Sequence, residues 1–157
     1  MGLEMKEKLA GVISGIKTEA DILAVESRSV EYRWEGDHPK SVEKEESFGA
    51  GLRVFREGEV SLAWTKDRTE LGDLPRRAEE SFFSNPGWSI AKREGIYPDI
   101  RTGEEYREEE AENVWKEFRG LYKEAMENDG ITDVLDMDYS ISDTNVYLLT
   151  TSGIDLF

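Results

Sequence analysis

The stretch that most limits what this chain can become runs from Lys40 to Thr65. Polar and apolar residues alternate along it, which is the period of a half-buried strand. Two glycine-marked places interrupt it, Gly49-Ala50-Gly51 and Glu57-Gly58. Glycine inside a strand pattern signals a corner, a bulge or a close backbone approach. The stretch therefore reads as three extended segments. A polar one reaches Gly49-Ala50-Gly51, a second runs to Phe55, and Glu57-Gly58 turns into a third. Leu52 and Val54 face the core, with Leu62 and Trp64 expected beside them.

Strand signals precede this stretch. Ile22 to Trp34 is rich in Val, Ser, Tyr and Trp, and Val30, Tyr32 and Trp34 alternate with Glu31, Arg33 and Glu35. Gly36-Asp37 turns the chain, and Pro39 keeps the start of the next segment at an edge or outside the ladder. The result is an antiparallel meander. Helical spacing appears at Met5, Leu9, Val12, Ile13 and Ile16, weakened by Gly11 and Gly15. It returns at Leu71, Leu74, Ala78 and Phe82, in a helix starting near Asp73 with Pro75 in its first turn. The stripe Val114, Phe118, Leu121, Tyr122 and Ala125, with Trp115 beside it, marks a third helix that Asn128-Asp129-Gly130 stops. Residues 85–108 read as a long connection. Leu135, Met137, Tyr139 and Ile141 alternate with polar residues, Asp143-Thr144-Asn145 turns, and Val146 to Thr151 returns as a closing hairpin. Segregated strands and helices predict an α+β fold, a mainly antiparallel sheet with helices packed on one face. No repeat and no linker divides residues 1–157, so a single domain is expected.

Charge and composition exclude several functions. The chain has 157 residues, with 35 acidic and 20 basic side chains and a formal charge of -15. That balance repels nucleic-acid phosphates and anionic membrane surfaces. There is no cysteine, hence no disulfide and no thiolate chemistry. No apolar run approaches the roughly 20 residues that span a bilayer, and no signal peptide is seen, so the expected location is cytoplasmic.

No constellation of catalytic residues emerges. His38 is the lone histidine, and before Pro39 it reads as a solvent-exposed loop residue. A zinc site built on two histidines is excluded within the chain. Asp133, Asp136, Asp138 and Asp143 suggest a calcium loop. Counted from Asp136, however, the sixth position is Ile141 where glycine is needed, and the twelfth is Tyr147 where glutamate is needed. Gly49-Ala50-Gly51 lacks the Lys-Ser/Thr of a phosphate loop. The acidic run from Glu104 to Glu112 reads as a solvated connection and a helix first turn. Trp34, Trp64, Trp88 and Trp115 lack interleaved basic clusters, so they form no nucleic-acid platform. Trp64 and Trp115 sit in periodic segments and read as core. Trp88 lies in the irregular stretch and is the contact residue the sequence points to. No catalytic residue, metal ligand or cofactor site is assigned.

Three blocks give the chain a family resemblance. They are Ala20-Asp21 with Val25-Glu26-Ser27-Arg28, then Ser41-Val42-Glu43 with Gly49-Ala50-Gly51-Leu52-Arg53-Val54 and Gly58, and Tyr139-Ser140 with Val146 through Gly153. Together they resemble the N-terminal domain of the TldD/PmbA family, described as modulators of DNA gyrase and as zinc-dependent peptidases. Members of that family are about three times longer, and their His-Glu-x-x-x-His metal motif lies beyond this domain. No stretch here matches that motif, so the resemblance carries over no catalytic or metal residue. It implies a non-catalytic domain that binds a peptide or a partner subunit, such as a separate C-terminal half, a paralogue or a second copy. Two other readings are a subunit of a split zinc metallopeptidase and an acidic protein-binding module or DNA mimic.

Overall fold

Period-two alternation over long runs, punctuated by turn residues, produces long strands. The computed structural model describes residues 2–85, 110–153 and 155–156. Helix α1 (Gly2–Ser14) leads into β1 (Glu19–Glu35), β2 (His38–Arg56) and β3 (Glu59–Thr65). A 3₁₀ turn (Arg68–Asp73), helix α2 (Leu74–Glu79) and a short β4 (Phe82–Ser84) follow. Helix α3 (Ala111–Met126), β5 (Asp136–Thr150) and β6 (Asp155–Leu156) complete the described elements. The strand order is β4-β3-β2-β1-β5-β6, an antiparallel meander joined to a C-terminal hairpin. This is the α+β architecture expected.

The described residues fall into two compact units, one from 1–27, 47–102 and 144–157, the other from 28–46 and 103–143. Strands β1, β2 and β5 contribute residues to both.

In the first unit, Ala20, Ile22 and Ala24 of β1 present one face to α1 and α2. They share it with Ala50, Leu52 and Val54 of β2, Ala63 of β3, and Tyr147 and Leu149 of β5. Met5, Leu9 and Val12 from α1, Leu71 from the 3₁₀ turn, and Leu74 and Ala78 from α2 fill this core. Ser61 is buried among them and donates its hydroxyl hydrogen bond to the Ala78 carbonyl. A buried hydroxyl needs such a partner. Glu26 is also buried here, accepting from the Tyr147 hydroxyl at 3.0 Å.

In the second unit, Val30, Tyr32 and Trp34 pack on α3 through Val114 and Phe118. Trp115 meets Tyr32 edge-on at 5.7 Å and Trp34 at 6.4 Å between ring centroids. Such tilted and T-shaped pairs add to simple area burial. The Trp34 indole donates to the Gly36 carbonyl at 2.6 Å.

Several local expectations need correction. Gly49-Ala50-Gly51 does not separate two segments, because β2 continues through it, and the described glycines with positive φ are elsewhere. Helix α2 ends at Glu79, and Phe82 belongs to β4, where it pairs with Ser61. Asp143-Thr144-Asn145 does not turn, because β5 continues through it to Thr150. The hairpin closes instead through residues 151–153 with Gly153 at φ 92, a conformation glycine adopts at no steric cost. Leu121 is exposed, one position off the buried stripe of α3.

Candidate interaction face

The turn at Glu57-Gly58 decides which side chains point outward. Both residues have positive φ, 34 and 84. That combination is the two-residue turn whose twist suits a hairpin. It sets Arg56 opposite Glu59 and hence Leu52 opposite Ala63, Arg53 opposite Leu62 and Gly51 opposite Trp64. Cross-strand partners share a face. With Leu52 in the core, Ala63 is inward, and Leu62 and Trp64 must point out. Trp64 is 63% exposed and Leu62 48%. The sequence reading that put both in the core is therefore wrong. A one-residue change of register reverses every side chain of a strand.

Within the first unit, four further observations extend this outer face. Leu23 of β1 is 46% exposed, Val146 of β5 49% and Phe83 of β4 46%. By alternation each points away from the helices, since their neighbours Ile22, Tyr147 and Phe82 belong to or pack against the core. Gly49 and Gly51 lie on the same outer side, and a Cβ built on either meets nothing within 4 Å. Trp64 thus stands beside bare backbone. Phe55 and Val60 share this side by register but are buried. Exposed apolar side chains scattered singly are ordinary, but here five of them, on β1, β3, β4 and β5, point to the same side of the sheet.

A charge pair sits within the patch. Arg53 grips Asp21 with two hydrogen bonds, Nε to Oδ1 at 2.8 Å and Nη2 to Oδ2 at 2.6 Å. The Asp21 side chain is 5% exposed and that of Arg53 43%. The hydrogen bond to Asp21 holds the guanidinium pKa above its ordinary range. Two parallel bonds fix the plane of the guanidinium as well as its position. The pair is satisfied, so it presents a rigid polar centre flanked by Leu23 and Leu62.

Among the described residues, no group of three or more His, Asp or Glu side chains could hold a metal ion. His38 is exposed at the start of β2, with Nδ1 3.0 Å from Asp37 Oδ1. Asp136, Asp138 and Asp143 are spread along extended β5. Asp143 pairs with Arg28 at 3.2 Å, and Asp133 accepts from the backbone of Val134. Trp88 and most of the connection at 85–108 lie outside the described residues. Among the described residues, no helix is long and apolar enough to cross a membrane.

The described helices and the mainly antiparallel sheet define an α+β fold. Residues 20–82 match the model of PmbA/TldA metallopeptidase domain 1. No curated protein matches in sequence. The fold is similar to TldE from Thermococcus kodakarensis, with a TM-score of 0.75 and 16% identity, over 96% of this chain and 36% of that one. It is also similar to a proposed modulator of a DNA gyrase from Thermotoga maritima, at TM-score 0.66 and 16% identity, over 99% and 36% of the two chains. A third, a proposed modulator of DNA gyrase from Bacteroides thetaiotaomicron, gives 0.68 and 14%, over 98% and 37%. This chain spans a little over a third of the length of each.

Proposed function

We propose that this chain is a non-catalytic interaction domain, and that its partner is a TldD/PmbA-type subunit docked on the outer face around Trp64. The exposed row of Leu23, Leu62, Trp64, Phe83 and Val146 on one sheet face carries this reading. An aromatic anchor beside bare backbone suits a second chain that must approach closely. The fixed Asp21–Arg53 pair would supply orientation rather than affinity. In that setting the domain would take part in a proteolysis-related complex without itself cutting a bond.

The test is co-purification from the native cell. Wild-type chain should bring down a TldD/PmbA-type protein, and Trp64→Glu should lose it while keeping its fold. Recovery of partner-free monomer alone would refute the reading. Stoichiometric zinc with peptide turnover by the purified chain would favour a metallopeptidase instead.

A further inference from the structure

A cleft of about 550 Å³ opens in the first unit between α1 and the 3₁₀ turn. Its walls join apolar surface from Val12, Leu71 and Pro75 to two cationic side chains, Lys8 and Arg68. Gly11, Gly15 and Gly72 border it, so backbone replaces side chain along much of its lining. A Cβ built on Gly11 or Gly72 meets nothing within 4 Å, and one on Gly15 meets only the Val12 carbonyl at 3.8 Å. The cavity is thus open where these residues lack side chains.

Arg68 is held but not saturated. Its Nε lies 3.0 Å from Glu26 Oε1, yet it is buried and makes no hydrogen bond there. Its guanidinium carbon sits 5.3 Å from the Phe48 ring centre. Among the described residues, no hydrogen bond engages its two terminal nitrogens. Glu26 is anchored from its other oxygen by Tyr147. Lys8 forms an exposed pair with Glu4 at 2.8 Å, and its ammonium keeps two further N–H donors. Each of the two cations beside the apolar wall has one carboxylate partner, Glu4 for Lys8 and Glu26 for Arg68.

We infer that this cleft binds a carboxylate that carries an apolar body. The carboxylate would lie against Arg68, where a planar guanidinium can offer parallel N–H donors. The body would lie on Val12, Leu71 and Pro75. Pockets of a few hundred Å³ with an apolar lining and few polar anchors are the usual form of small-ligand sites. The same chemistry is available from a free apolar acid or from the C-terminal residue of a peptide. The inference is independent of the outer sheet face.

The experiment titrates the whole chain with N-acetyl-phenylalanine, its amide, and a hexapeptide ending in phenylalanine, following backbone amide NMR shifts. Saturable shifts at Gly11, Thr69 and Gly72 with the acid, at least tenfold weaker with the amide, are expected. Binding of the hexapeptide as well would name a peptide terminus as the source, and binding of the free acid alone a small molecule. Arg68→Gln should weaken binding at least tenfold. It also strips Glu26 of its ion partner, so Gly11→Leu is the second variant. That side chain fills the open space, improves the helix, and should abolish binding without lowering Tm. Neither ligand shifting these amides, equal binding of acid and amide, or unchanged binding in Gly11→Leu would overturn the inference. Trp64→Glu should leave this titration unchanged, which separates failure here from failure of the docking face.

Discussion

Two tryptophans show how position outweighs residue type. Trp34 is 1% exposed and hydrogen-bonded, while Trp64 is mostly in solvent. Trp34→Ala should cost roughly 3–5 kcal/mol in denaturant unfolding, since it empties an aromatic core position. Trp64→Ala should stay within about 0.5 kcal/mol, as surface changes do, while impairing partner capture. Asp67 offers a pH-dependent case. Its side chain caps the 3₁₀ turn by accepting from the Thr69 amide at 2.8 Å and hydroxyl at 2.7 Å. The Thr69 hydroxyl first, and then its amide, hold the carboxyl pKa below the usual value. A depressed carboxylate contributes stability above its unfolded pKa, near ~3.9, and loses it as pH falls through the lower folded value. Asp67→Asn, which keeps a carbonyl acceptor but cannot titrate, should flatten that part of the acid unfolding curve. An unchanged acid limb would contradict the assignment.

At the scale of elements, the β2–β3 connection is the most instructive. The Glu57-Gly58 turn was legible from its glycine, and a two-residue loop fixes the register by itself. Pairing Arg56 with Glu59 puts Ala63, not Trp64, opposite Leu52. Counting from the turn would have found the outer face, whereas reading each apolar residue as core concealed it. The Gly49-Ala50-Gly51 motif was visible too, but bareness of backbone and bending of backbone leave the same mark in a sequence. The break at Asp143-Thr144-Asn145 misled for a similar reason: turn-favouring residues lie inside a strand whose pairing overrides local preference. Gly58→Ala should destabilise by about 1–2 kcal/mol, because alanine resists φ 84. Glu57→Asn should stabilise by roughly 0.5–1 kcal/mol, because asparagine tolerates a left-handed backbone and Asn-Gly suits this turn. Both are read from denaturant midpoints at constant m.

At the scale of the molecule, the meander, the helix stripes and the α+β class followed from periodicity alone. Val30, Tyr32 and Trp34 are buried as their alternation demands, as are Val114 and Phe118. The cleft beside Arg68 was not legible, because α1 and the 3₁₀ turn are more than fifty residues apart in sequence, and only folding brings them together. A charge of -15 on 157 residues implies self-repulsion in the folded state. Raising sodium chloride from low concentration to about 0.5 M should therefore raise Tm by roughly 2–4 °C, through screening. A fall in Tm would mean that ion pairs such as Asp21–Arg53 dominate instead.

The outer face around Trp64 is most directly tested by placing a photo-crosslinking amino acid at residue 64 and irradiating the native cell. The account predicts an adduct with a TldD/PmbA-type chain from position 64, and none from an exposed control position on α3 such as Leu121. No adduct at position 64, or the same adduct from both positions, would contradict it.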